Sequence, residues 1–206
     1  GTAVENYPPD NLVITLSVET IENTAQKAVS ENSIKAESVI NKLKNLINQN
    51  AGDTIKTSYY SVQPYYEYSE SRKKSQLVGY KAINQVTVKT KNIKNAGLII
   101  DGAVNSGANN VQGINFVLDK NEDYCNSVMS KAAAKAKEQA NVIAKSLGVK
   151  IAGIKSVSTS CGVPNYPRPM YFAKEMMAAG SAITDTPIES GNIEVNATVN
   201  VEFYIQ

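Results

Sequence analysis

The sequence predicts an α+β fold. It reads as two strand–helix–strand–strand units joined by a short helix, with mostly antiparallel sheets and long helices packed on one face. Three observations carry that reading. Two long stretches space their apolar residues three and four apart, the period of a helix with one buried face. Several others alternate apolar and polar residues, the period of a half-buried strand. The two kinds of segment come in the same order twice, at about 11–90 and about 110–206, and a sheet with helices on one face is the two-layer solution for such an order. No residue-level repeat accompanies the repeated order.

Residues 1–10 read as a lead-in, because Pro8-Pro9 breaks both helix and sheet. Leu12, Ile14, Leu16 and Val18 then alternate with polar or smaller residues, which predicts a strand over 11–20. A helix is expected over 24–49, with a stripe running from Ala25 and Ala28 through Asn32, Ala36 and Val39 to Leu43 and Ile47. Thr24 or Asn23 would cap its start, and Gly52 lies just past its end. Residues 54–68, rich in Thr and Tyr, predict a strand in which Pro64 marks an edge position or a bulge. Polar residues 69–76 form a hairpin loop, and the chain returns as a strand over 77–90, with Asn84 interrupting its apolar face. A short helix is expected at 93–106, carrying Ile93, Ala96, Ile100, Ala103 and Val104, with Gly107 after it. A strand at 111–118 leads to a long helix capped by Asn121, with Glu122 and Asp123 in its first turn, where the dipole favours acids. Its expected buried stripe is Cys125, Met129, Ala132, Ala136, Ala140, Ile143 and Leu147, and Gly148 ends it. A strand at 150–160, a connection over 161–187 holding Pro164, Pro167, Pro169 and Pro187, and a strictly alternating last strand from Ile193 complete the chain.

Composition narrows function. The 206 residues include no His, which excludes Ser-His-Asp triads, Cys-His dyads and His-ligated zinc. Two Cys are too few for a four-thiolate zinc or iron–sulfur site. A net charge of +2, from 21 basic and 19 acidic residues, is too balanced for an electrostatic nucleic-acid binder. No stretch reaches the roughly 20 apolar residues of a membrane-spanning helix. No cofactor, metal site or catalytic residue is expected. The opening Gly1-Thr2-Ala3 fits either a processed end or a cloning remnant.

A series of short motifs resembles a known family. Pro9-Asp10 precedes a strand, then come Thr20 and Thr24-Ala25-Gln26-Lys27-Ala28. Next are Thr57, Pro64-Tyr65-Tyr66, Gly79-Tyr80-Lys81-Ala82 and the stretch from Asp101 to Gly107-Ala108. Val111-Gln112-Gly113-Ile114-Asn115-Phe116, the Ala-Lys helix Ala132 to Ala140, and Pro187 to Gly191 close the series. In that order they resemble the SIMPL-domain family of bacterial periplasmic or surface proteins, over residues 9–206 as one SIMPL-like domain. The resemblance implies export and a non-enzymatic role. Relatives are linked to oxidative-stress tolerance, and some build ring-like assemblies. It carries over no catalytic residues, and neither the Cys pair nor the proline-rich connection belongs to the pattern.

Four constellations remain. Cys125 opens the long helix and Cys161 closes the strand after it. The helix to Leu147 rises about 33 Å and the strand from Ile151 returns about 33 Å, so an antiparallel pair brings both thiols to one end. In an exported protein that allows a disulfide, the alternative being two separate buried thiols. Tyr65, Tyr66 and Tyr68 cluster beside Arg72 on one hairpin: a stacking surface for sugars or single-stranded nucleic acid, a subunit interface, or the reading favoured here, β-propensity with cross-strand aromatic pairing. Met170, Tyr171, Phe172, Met176 and Met177 give the 161–187 connection the composition of a partner surface. Asp101, Asp119, Glu122 and Asp123 fit helix capping and solvation better than acid–base work. The leading expectation is an exported, non-enzymatic cell-envelope protein that self-assembles into a homo-oligomer or docks on an envelope partner. A glycan-binding module built on the Tyr hairpin is the second reading, and a carboxylate enzyme the third.

Overall fold

The computed structural model describes residues 1–69, 73–163 and 186–206. In chain order the elements are β1 (Thr2–Tyr7), β2 (Asn11–Glu22), α1 (Ala25–Leu46), β3 (Thr54–Ser69), β4 (Lys74–Thr90), α2 (Ala96–Asn105), β5 (Asn110–Val117), α3 (Asn121–Leu147), β6 (Ile151–Gly162) and β7 (Ile193–Ile205). The fold is α+β, with two antiparallel sheets ordered β3-β4-β2-β5 and β1-β7-β6. The described residues form two compact units, one of 11–116 and 186–189, the other of 1–10, 117–163 and 190–206.

In the first unit, α1 lies on the four-stranded sheet. Thr24 Oγ1 accepts from Lys27 N at 3.3 Å and so caps the helix start. The helix buries Ala28, Asn32, Ala36, Val39 and Leu43, the spacing of one face. They meet Leu12, Ile14, Leu16 and Val18 of β2 and Val86 and Val88 of β4, with Ile99 and Ala103 of α2 beside them. Asn32, alone polar in that stripe, donates from Nδ2 to Val18 O at 2.8 Å and Ala82 O at 3.2 Å. Thr20 Oγ1 donates to Ala28 O at 2.8 Å, a second polar tie between helix and sheet. β3 is an edge strand, which is what tolerates Pro64. Its ladder to β4 shifts register between Thr57 and Tyr59 and between Tyr65 and Tyr66.

In the second unit, α3 lies on the three-stranded sheet. Ile193, Val195, Ala197 and Val199 of β7 pack with Ala3, Leu118, Val128 and Ala132. Cys125 and Cys161 form a disulfide, their Cα atoms 5.9 Å apart. It joins the start of α3 to the end of β6. Gly148, at φ +68°, ends α3 in the left-handed conformation that favours glycine.

The structure departs from the sequence reading at definite points. Residues 2–7 are a strand, not a lead-in: they pair with β7 from Thr2↔Thr198 to Tyr7↔Ile193, and Pro8-Pro9 falls after the strand. Only Ala3 of β1 is fully buried, too faint a pattern to read. β4 starts at Lys74, so the hairpin is tighter than the polar 69–76 run suggests. Ile47 leaves the helix in extended conformation, and a 3₁₀ turn at Gln49–Ala51 comes next, which shortens α1. Another 3₁₀ turn, Ile93–Asn95, precedes α2, which buries Ile99 and exposes Val104. Lys120, not Asn121, is the N-cap of α3, and it makes no side-chain capping bond. β5 joins β2 in the four-stranded sheet, while β1 supplies the third strand beside β7. Chain order alone groups β5 with α3 and β6, because local pattern carries no information on which sheet a strand enters.

Candidate functional site

The β3–β4 hairpin outreaches its sheet. β2 ends at Glu22, opposite Tyr80, so residues 74–79 and their β3 partners continue as a two-stranded ribbon. Gly79 sits where the ribbon leaves: a Cβ there would lie 2.6 Å from Glu22 O. The ribbon pairs Tyr65↔Gly79, Tyr66↔Leu77 and Tyr68↔Ser75. Tyr66 is 58% and Tyr68 64% exposed, and Leu77 and Val78 are exposed too. Tyr59 and Tyr60 continue the exposed aromatic run down β3. Tyr65 is the part-buried member. Alternation puts Tyr66 and Tyr68 on one face with Leu77. Arg72 lies outside the described residues, as do Met170, Tyr171, Phe172, Met176 and Met177.

The second surface flanks α3. The C-terminal half of the helix and the sheet border an open trench of about 380 Å³, lined by Gly1, Ala136, Ala140, Ile143, Leu147, Val201, Phe203 and Ile205 among others. A second trench of about 440 Å³ runs along the other flank, against Ile154, Val157, Val201 and Phe203, with Lys137 on its lining. Ile143 and Leu147 do not close the helix stripe as their spacing predicts; they are 59% and 68% exposed. The buried row of α3 is instead Val128, Ala132, Ala136 and Ala144.

Asp119, Glu122 and Asp123 border one open surface hollow at the start of α3, and Asp101 belongs to the other unit. Asp101 accepts from Thr186 N at 3.0 Å and from Thr186 Oγ1 at 2.7 Å, bonds that hold its carboxyl below the usual range. Glu122 and Asp123 occupy the first turn of α3 and are exposed. Asp10 accepts from Asp119 N at 2.7 Å and from the Tyr124 hydroxyl at 3.2 Å. Burial, reinforced by the Asp10 charge, pushes that hydroxyl's pKa up. Pattern reading missed two further polar clusters. Glu19 pairs with Lys81 and accepts from Asn110 Nδ2 at 2.9 Å; those two partners, Lys81 foremost, hold its pKa down. Asp53 is buried, which pushes its carboxyl up, but bonds from Thr90 Oγ1 (2.7 Å), Asn48 N (3.0 Å) and Lys91 N (3.0 Å) outweigh that and leave it lowered. Only an Asp after a Gly turn hinted at this in the sequence. Among the described residues, no three His, Cys, Asp or Glu gather as metal ligands, and no helix is long and apolar enough to cross a membrane.

Fold and surface together define the class first: a two-unit α+β protein with one disulfide and a projecting aromatic ribbon. The chain belongs to the SIMPL family, described as a protein of unknown function (DUF541), whose profile matches residues 1–203. It is similar to the 26 kDa periplasmic immunogenic protein of Brucella melitensis, 26% identical over 212 residues, covering all of this chain and 83% of that protein. It is likewise similar to the uncharacterized protein YggE of Escherichia coli K12, 26% identical over 207 residues, covering all of this chain and 81% of the relative. The YggE of Edwardsiella ictaluri matches 76% of the chain at 27% identity.

Proposed function

We propose that this is an exported, periplasmic, non-enzymatic protein of the cell envelope that works by association, in the first place with further copies of itself. The observation that supports this is the ribbon: Tyr66, Tyr68, Leu77 and Val78 stand exposed on a two-stranded arm beyond its own sheet. Tyr is enriched at protein interfaces because a rigid ring buries a large area at small entropic cost. Export is supported by the periplasmic naming of the Brucella relatives and agrees with a disulfide, which persists in oxidising compartments. A stress-related role stays with the family resemblance.

The test is absolute mass by light scattering, for the parent and for Tyr66→Ser/Tyr68→Ser/Leu77→Ser, with deletion of 161–187 as a second arm. An assembly that falls to the 22.2 kDa chain mass in the ribbon variant supports the reading. A parent that is monomeric at all concentrations removes self-association and leaves an envelope partner. The same exposed rings support a second reading, a glycan-stacking surface, in which Tyr65→Ala/Tyr66→Ala abolishes binding on a glycan array. No glycan bound by the parent would dispose of it.

A further inference from the structure

Strand β6 keeps one edge open. It pairs with β7 on one side, and among the described residues no strand pairs on the other. The bonding phase of that edge follows from β7. Val199 N donates to Gly1 O at 2.9 Å and Val199 O accepts from Gly1 N at 2.8 Å, so Val199 turns its backbone toward β1. In an antiparallel ladder both backbone groups of a residue point the same way, alternating along the strand. Thr198 and Asn200 therefore serve β6, where they face Ser160 and Ser158. Val157, Thr159 and Cys161 turn their N–H and C=O outward. The stretch from Ser156 to Cys161 carries no charge and no Pro, the devices that usually blunt an edge. The register shifts of β6 lie earlier, between Ile151 and Gly153 and between Ile154 and Ser156. Lys155 also lies before the stretch, and it pairs with Glu202 at 3.3 Å.

We propose that a second copy of the chain joins at this edge, β6 pairing antiparallel with β6 about a two-fold axis at Thr159. This contact rests on the self-association proposed above and is distinct from the ribbon. Thr159 would face Thr159 of the second copy, and Val157 would face its Cys161, each pair exchanging backbone bonds. The two three-stranded sheets would continue as one.

Helix α3 is what makes a second copy the fitting occupant. It packs chiefly over β7. The disulfide sets Cys125 level with Cys161. From there two strand residues advance about 6.6 Å and four helix residues about 6 Å. Thr159 is then level with Met129, and Val157 with Ala133. The trench of about 440 Å³ agrees, since Ala133 and Lys137 line it together with Val157 and Ile154. Glu122, Asn126, Ala133 and Lys137 recur at helical spacing, so they share the flank of α3 above β6. A two-fold axis at Thr159 runs the second α3 antiparallel to the first. It sets Glu122 opposite Lys137 of the second copy and Asn126 opposite its Ala133. The row is thus complementary to itself, acid at one end and base at the other, and Glu122 and Lys137 are both exposed. The helices would stand three strand spacings apart, about 14 Å, a gap that a Glu and a Lys side chain bridge. Pairing would also cover Val157, which is 54% exposed.

The experiment follows amide hydrogen exchange at Val157, Thr159 and Cys161 against protein concentration, beside the light-scattering mass. The expected result is slowing of about tenfold or more at these amides as copies associate. Glu122→Lys and Lys137→Glu should each remove the slowing, and the two together should restore it, because the swap re-forms the pair across the axis. Thr159→Pro loses an N–H that faces outward, so it should remove the slowing at Val157 and Cys161 while the β6–β7 ladder stays protected. A parent that is monomeric throughout overturns self-association and this contact together. A parent that assembles while these amides exchange fast at every concentration overturns this contact alone. Slowing that is independent of concentration also overturns it, in favour of a segment of the same chain. A charge swap that restores nothing overturns the pairing about Thr159.

Discussion

Removing the Cys125–Cys161 bond should destabilise the unit that contains it by about 4 kcal/mol and leave the other unit unchanged. The bond spans a sequence separation of 36. Closing a loop of that size removes about 13 cal/mol/K from the unfolded chain, or about 4 kcal/mol at 25 °C. The loss falls on a thinly anchored helix, since the residues α3 buries are one Val and three Ala. A large apolar side chain contributes about 1.5–3 kcal/mol on burial, and Ala much less. Native-state hydrogen exchange on Cys125→Ala/Cys161→Ala is the assay. Slow amides of α3 and β7 should lose up to about three decades of protection, at about 1.4 kcal/mol per decade. Those of α1 and β4 should keep theirs. A loss under about 1 kcal/mol in α3, or an equal loss in α1, would refute the reasoning.

Two further perturbations probe the first unit. Asn32→Ala removes both donors to Val18 O and Ala82 O from a buried site and should cost about 1–3 kcal/mol in urea unfolding; a change under about 0.5 kcal/mol would show that the two bonds carry no stability. Asp53 has a lowered pKa in the fold, so its contribution is complete above the ordinary value of 3.8 and disappears as pH falls through the lower folded value. Asp53→Asn should therefore be less stable than the parent at neutral pH, with the gap narrowing below about pH 4. A gap that is constant with pH would mean the charge is not involved.

What was legible depended on whether a residue's environment lies close by in the chain. The α1 stripe from Ala28 to Leu43 was readable because a helix repeats its buried face every three or four residues. β7 was readable because strict alternation has one interpretation. β1 was not, since Ala3 is its only fully buried residue and its partner lies almost 200 positions on. The sheet that β5 joins was equally hidden: an edge strand looks alike in either sheet until pairing decides. The Tyr cluster could be placed on a hairpin because both strands carry the period. The bonds that gather at Asp53, from Asn48, Thr90 and Lys91, exist only once a turn and a distant strand end meet.

Helix α3 is where pattern and structure part most, and the difference has a physical content. Spacing puts Ile143 and Leu147 on the stripe of Ala132 and Ala136, yet both stand largely in solvent. β7 shows the same mismatch from the other side, for its alternation continues through Val201 and Phe203 to an exposed Ile205. Two elements thus turn regular apolar rows toward one gap, and the gap opens where β1 ends. A hydrophobic period is set by sequence spacing alone, so it runs on past the point where the neighbouring strand stops and burial ends. The ribbon differs in kind. Tyr66, Tyr68, Leu77 and Val78 stand beyond the end of β2, on a stretch where β3 and β4 pair only with each other, so the fold's own sheet stops short of them. The trench is thus a gap between a helix and a strand of one unit, whereas the ribbon is apolar surface carried beyond the edge of its sheet.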